Sequence, residues 1–222
     1  MASDPTVLAR TILPELFVTD PSKSQRTRVT IIEAAITVYG RDGIEAATQE
    51  RIAAEAGISR PLIIRYFPKE DELFTLAMKY IRGNLQRMAV EAVAKVADGT
   101  VEDRLTAYVN SCFRWLRDYP VHARAWLAFL CGAGVNPRHR KENTELAEMG
   151  FQRIQAMLEA MPVNRAAAPD DLRGRAKAIQ ALIAGSMLAA VTENSSVPVK
   201  QLEQACMRGC LLIARTRARP SA

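Results

Sequence analysis

Residues 48–73 read TQERIAAEAGISRPLIIRYFPKEDEL, and this stretch decides the architecture. Thr48 is a good N-cap for a short helix ending at about Ala56. Gln49, Ile52, Ala53 and Ala56 fall at i, i+3, i+4 and i+7, which gives one narrow face of mostly small residues. Gly57 then stands where a left-handed residue ends a helix. Ser59 caps a second helix, and Pro61 sits near its start, where a missing N–H costs little. Helix, glycine-containing turn and helix form the helix-turn-helix pattern, whose second helix enters a DNA major groove.

Around this core, Thr27 to Leu76 resemble the N-terminal DNA-binding domain of the TetR family of bacterial transcriptional regulators. The residues that carry the likeness run in order. They are Ile32, Ala34 and Ala35, Tyr39 where the family usually has Phe, then Gly43, Thr48 and Ile52-Ala53. Ala56-Gly57-Ile58-Ser59, Tyr66-Phe67 and Leu73-Phe74 follow. The match covers roughly a quarter of the chain, and the remainder resembles the family in length, helical content and order of parts.

The resemblance implies an all-α protein of about nine helices. A three-helix reading domain at 23–68 precedes a helical effector-binding and dimerisation domain at 69–222, and 1–22 form a flexible arm. It also implies DNA contacts at Thr48, Ser59, Arg60, Pro61, Leu62, Ile64, Arg65, Tyr66 and Lys69, with Arg28 from the basic run KSQRTR. Of the base-reading positions Arg60, Pro61, Leu62 and Ile64, only Arg60 can form a bidentate fork, which suits guanine O6 and N7. Binding to phosphate and a solvated side chain are the competing readings of Arg60. Thr48, at a helix N-terminus, suits phosphate. Lys23, Arg26 and Arg28 have no acidic neighbour from Pro21 to Ile32 and read equally as a phosphate or minor-groove contact and as a solvated run. Two positions depart from the family: Ile64 replaces a frequent Tyr, and Glu70 replaces a Lys for which Lys69 is the nearest substitute.

A chain of 222 residues is long enough for one or two domains with a sizeable core. Its formal charge of +6 and pI near 9.3 favour an anionic partner. No apolar run is long enough to cross a bilayer. The first residues lack a signal-peptide pattern, because Arg10, Pro14 and Glu15 break the apolar stretch, so a cytoplasmic protein with no membrane partner is expected. Cys112, Cys131, Cys206 and Cys210 lie in apolar helical segments and read as buried thiols. Cys206 and Cys210 are i, i+4 neighbours, which leaves a redox role open; two thiols alone do not complete a metal site.

Periodicity places the other helices at about 23–41, 69–96, 101–119, 121–131, 137–160, 170–192 and 199–217. Gly132, Gly134 and Asn136-Pro137 read as a break, and MPVNRAAAPDD (161–171) reads as an exposed loop. Positive charge at Arg138, His139, Arg140 and Lys141 opposes the macrodipole of the helix it opens. By the resemblance, the last two helices pair with their copies in a homodimer, with Leu182, Gly185, Ala189, Leu202, Cys206, Gly209 and Ile213 as interface candidates. An unknown small effector, apolar or aromatic, is expected among Tyr108, Phe113, Trp126, Phe129, Met149 and Met187, with Asn110 as a polar anchor, although each of them taken singly reads more readily as plain core.

The function this supports is a DNA-binding regulator, most simply a repressor, that holds an inverted-repeat operator as a dimer and is released by its effector. The alternative is a helical sensor that has lost sequence-specific DNA binding. An enzyme is disfavoured: there is no Gly-rich phosphate loop, no metal-ligand cluster and no nucleophile motif, and no cofactor is implied.

Overall fold

The computed structural model describes residue 16 and residues 19–165, 167–192 and 198–216. Most of the expected arm at 1–22 lies outside the described residues. Nine α-helices follow in order, and the described residues include no strand: α1 (Lys23–Asp42), α2 (Gln49–Ala56), α3 (Arg60–Tyr66), α4 (Glu70–Ala94), α5 (Val101–Asp118), α6 (Pro120–Val135), α7 (Pro137–Ala160), α8 (Pro169–Thr192) and α9 (Val199–Arg215). They fall into two compact units, one built on 16–86 and 118–146 and the other on 87–117 and 147–216.

In the first unit, Ser22 and Gln25 start α1 with reciprocal bonds. Gln25 N donates to Ser22 Oγ over 3.2 Å, and Ser22 N donates to Gln25 Oε1 over 2.8 Å. The inward face of α1 is Ile31, Ile32, Ala35, Ile36, Val38 and Tyr39. Tyr39 meets Phe74 of α4 edge to face at 5.3 Å, and Phe74 also packs on Phe129 of α6 and His139 of α7. The basic opening of α7 is compensated locally. Arg140 folds back so that its guanidinium donates to the carbonyls of Ala133 and Gly134, which end α6.

The tightest constraint in this unit is the crossing of α1 and α6. A Cβ added to Gly40 would lie 2.4 Å from the carbonyl oxygen of Val121, so only glycine admits this approach. Two polar contacts flank the crossing. Arg124 Nε donates to Gly40 O over 3.0 Å, and His122 Nε2 lies 2.8 Å from Glu33 Oε2. Burial pushes the Glu33 carboxyl up, but the hydrogen bond and charge of His122, with the Tyr80 hydroxyl, outweigh it and hold the carboxyl below the usual range. His122 looks unremarkable in sequence because its partner is 89 residues away.

In the second unit, Thr100 and Asp103 cap α5 reciprocally. The predicted stripe of Leu105, Val109, Cys112, Phe113 and Leu116 is buried, with Trp115 beside it. Asn164 and Arg175 form a buried polar knot. Asn164 Nδ2 donates to Leu158 O over 2.8 Å, and Arg175 Nη1 donates to Asn164 Oδ1 (2.9 Å) and to Thr216 O (2.6 Å). A cation thus closes the C-terminal end of α9, where the macrodipole is negative.

Three sequence expectations change. Residues 132–135 are helical, because α6 tolerates Gly132 and Gly134 in its last turn and stops only before Pro137, whose ring disfavours a helical residue ahead of it. The segment 161–171 is not an exposed loop throughout. It contains a short 3₁₀ turn (Pro162–Asn164), and Met161 and Asn164 are buried. Cys131 is exposed, whereas Cys112, Cys206 and Cys210 are buried.

Replacing Gly40 by Ala is expected to destabilise the protein by about 1–3 kcal/mol through overpacking against Val121. Urea unfolding, with circular dichroism to show retained helix, checks this; an unchanged midpoint would mean that α1 and α6 separate at no cost.

Candidate nucleic-acid interface

The interface is built by α2, its turn and α3. Thr48 caps α2, its Oγ1 accepting from Arg51 N over 3.3 Å. Gly57 ends α2 with φ +66° and ψ +31°, and its N–H returns to the α2 carbonyls. Ser59 is extended at the N-cap of α3 and makes no side-chain cap bond, so its hydroxyl is left to an outside partner. Pro61 lies in the first turn of α3, as the sequence predicts.

Only one side of α3 is used for packing. Ile63 and Phe67 are fully buried, and with Ile52 and Ala53 of α2 they fix the angle between the two helices. The other side presents Arg60, Pro61, Ile64 and Arg65 to solvent, with Leu62 partly covered. Ile64 is 41 % exposed, an apolar group that packing within the chain does not explain. The guanidinium of Arg60 is engaged, its Nε 3.0 Å from Glu50 Oε1 on α2. An exposed pair of this kind is worth about 0.2–1 kcal/mol, so it orients Arg60 without committing it.

The remaining candidates are spread around this face. The hydroxyl of Tyr66 is bonded by Ser24, and to a lesser extent Thr27, of α1, which holds its pKa below the usual tyrosine value despite desolvation. Its ring is therefore posted at the start of α1. Lys69 is exposed. Arg28 packs over the ring of Phe67 at 5.3 Å and lies 4.0 Å from Glu72, so it supports the end of α3. Arg26 donates to Pro21 O over 2.5 Å.

An exposed helix of this kind, set by a glycine turn against a capped partner, is a reading head. A family profile described as bacterial regulatory proteins of the tetR family matches residues 31–77, and one described as the C-terminal part of BetI-type transcriptional repressors matches 101–214. The chain belongs to the TetR family. Within it, the HTH-type transcriptional regulator BetI of Agrobacterium fabrum is 32 % identical over 158 residues, which cover 71 % of this chain and 73 % of that one. The regulator of the same name from Proteus mirabilis is 28 % identical over 159 residues, or 71 % and 76 % of the two chains. Two solved structures share the fold. One is a transcriptional regulator of Pseudomonas aeruginosa PAO1, with TM-score 0.75 and 23 % identity over 87 % of this chain and 92 % of that one. The other is a regulator of Saccharomonospora viridis solved with choline, with TM-score 0.68 and 21 % identity over 82 % and 93 %. As a TetR-family protein with a BetI-type C-terminal part, the chain is a transcriptional regulator rather than an enzyme.

The residues read as an effector pocket fall in both units. Phe113 and Met187 are core in the second unit, where Met149 and Tyr108 are partly covered. Trp126 and Phe129 are core in the first unit. Asn110 is exposed and lines an open groove of the second unit.

Among the dimer candidates, Leu182 and Gly209 face each other within one chain. A Cβ on Gly209 would lie 2.7 Å from Leu182 Cδ2, so this glycine serves the α8–α9 contact of the protomer itself. Cys206 is buried in the protomer and bonded by Cys210 and Ser186. The bond from Cys210 is the chief reason its thiol falls to about 7, and the same bond raises Cys210. Gly185 is exposed, and Ala189, Leu202 and Ile213 are partly so. Leu188, Val199 and Leu212, which the sequence reading did not single out, are apolar side chains 43 %, 36 % and 69 % exposed on α8 and α9. Their signal is an apolar residue on the outer face of an amphipathic helix. Among the described residues no group of three or more His, Cys, Asp or Glu side chains is placed to hold a metal.

Arg60→Ala is expected to cost about 1–3 kcal/mol in operator affinity and to relax preference at one base pair. Glu50→Gln, which releases the fork, is expected to tighten binding by less than about 1 kcal/mol. Fluorescence anisotropy on single-base operator variants checks both, and a uniform loss across all sequences would make Arg60 a phosphate contact.

Proposed function

We propose that the protein is a repressor that binds an inverted-repeat operator as a homodimer and lets go when a small effector occupies its C-terminal part. The observation that carries this reading is the outer face of α3, where Arg60 and Ile64 stand in solvent beside the phosphate-suited N-terminus of α2. The fork reads a guanine, and the exposed isoleucine packs on a thymine methyl. Pro61 and Leu62 add apolar contact, while Thr48, Ser59, Arg65, Tyr66 and Lys69 hold phosphates and set the register.

Dimer formation is supported by the outer surface of α8 and α9. Leu188 and Leu212 are large apolar side chains in water, and Gly185, Ala189, Leu202 and Ile213 provide small and branched neighbours. Two reading heads on a two-fold axis meet half-sites about 34–36 Å apart. Effector and operator then oppose each other through one shared equilibrium, each weakening the other by the same factor. No described helix is long and apolar enough to cross a membrane, in keeping with work on DNA in the cytoplasm.

Selection of bound duplexes from a random library at moderate salt tests this reading. Enrichment of an inverted repeat is the expected result, with affinity that falls steeply with salt. A folded dimer that enriches nothing would favour the alternative of a sensor without sequence-specific DNA binding. Leu212→Glu is expected to shift the protein toward monomer in sedimentation velocity and, as half-site binding alone survives, to weaken operator binding at least about tenfold.

A further inference from the structure

The second unit carries an open groove of about 940 Å³, within the size of small-molecule sites. Its apolar lining, or floor, is Ala92, Val96, Ala107 and Met207. Its walls are one face of α5, with Asn110, Arg114 and Arg117, and one face of α9, with Lys200, Gln204 and Arg208. A smaller hollow of about 420 Å³ shares Lys95, Val96, Thr106, Ala107 and Asn110 and lengthens the groove toward the turn between α4 and α5, where Asp98 and Asp103 bring two carboxylates.

Charge distinguishes this groove from an ordinary solvated surface. Among its fourteen lining residues are five cations, Lys95, Arg114, Arg117, Lys200 and Arg208, and one carboxylate, Glu203. That leaves four net positive charges in the larger hollow, and two once Asp98 and Asp103 of the smaller one are included. Glu203 is already paired with Arg117 across the groove at 2.7 Å. Lys95, Arg114, Lys200 and Arg208 have no ion-pair partner among the described residues. A concave, partly apolar site in which cations outnumber carboxylates concentrates counter-ions there. An uncompensated cation set above an apolar floor matches a ligand with one anionic end and one apolar body. It repels a quaternary ammonium such as the choline held by the Saccharomonospora regulator.

We propose that this groove binds a small amphipathic carboxylate, with its head on Arg114, Lys200 and Arg208 and its apolar body on Ala92, Val96, Ala107 and Met207. That such a ligand acts as the effector rests on the regulator reading above; that it binds does not. A polyanion such as DNA is the weaker match, because it offers no apolar body to Ala92, Val96, Ala107 and Met207.

Calorimetric titration of the full-length protein with decanoate at pH 7.5 tests the proposal, with decanol and decyltrimethylammonium as neutral and cationic controls. One decanoate per protomer is expected, with decanol weaker on the order of tenfold and no heat from the cation. The double variant Arg114→Ala/Arg208→Ala is expected to lose at least about tenfold in decanoate affinity with an unchanged melting temperature, since both side chains are exposed. Met207→Glu, which puts a carboxylate on the floor, is expected to abolish binding while the protein stays folded. The proposal is overturned by no decanoate binding at millimolar concentration, by equal binding of decanol, or by undiminished binding to the double variant. Displacement of decanoate by a random-sequence duplex, lost in the double variant, would also overturn it and make the face a polyanion site. Decanoate that binds but does not release operator DNA would leave the groove standing and sink its effector role. A protein that binds decanoate but no operator would sink the regulator reading alone.

Discussion

The crossing of α1 and α6 sets the terms for the reading head. At Gly40 the two backbones come so close that no side chain fits between them, and the approach is held by Arg124 on the Gly40 carbonyl and by His122 on Glu33. The three helices of the DNA-binding motif are too small to bury much apolar surface alone. They gain their core from α4, α6 and the start of α7, through Phe74, Phe129 and His139. The angle at which α3 is presented is therefore a property of six helices, not three. α6 is remote from α3 in sequence, yet it belongs to the same compact unit.

Local signals were legible in the sequence where a single residue type solves a single backbone problem. Gly57 takes the left-handed conformation, Thr48 caps α2, and Pro61 opens α3, each as its chemistry demands. The inward stripes of α1 and α5 follow from period alone. Reading failed where two opposing tendencies had to be weighed without tertiary context. Gly132 and Gly134 argue for a break, but packing of Phe129 and Ala133 carries α6 past them. Asn164 looks like a loop residue, and only the fold brings Arg175 to it. The ion pair of Glu50 with Arg60 joins two helices across the turn, and neither helical period predicts it.

The C-terminal half illustrates the same limit for function. Aromatic residues singled out as pocket lining turn out to be mostly core, because a large apolar side chain in an interior helix packs first and binds only if space remains. Exposed charge is easier to overlook, since a scatter of Lys and Arg along separate helices looks like ordinary solubility. Only when the turn after α4 is folded together with α5 and α9 do Lys95, Arg114, Lys200 and Arg208 gather on one concavity.

The carboxylate that holds Arg60 has a consequence for how the protein searches a genome. A free guanidinium on α3 would favour any phosphate it met and slow every encounter with the wrong sequence. With Glu50 as its resting partner, Arg60 gives up one anion for another on random DNA and gains little. Under the proposed reading, a guanine edge that accepts both arms of the fork in a dry groove repays the exchange. If Arg60 reads a base as proposed, the pair lowers affinity everywhere by a small amount and lowers it least at the operator. Against the roughly million-fold or greater excess of competing sites in a genome, occupancy depends on that ratio rather than on tight binding itself.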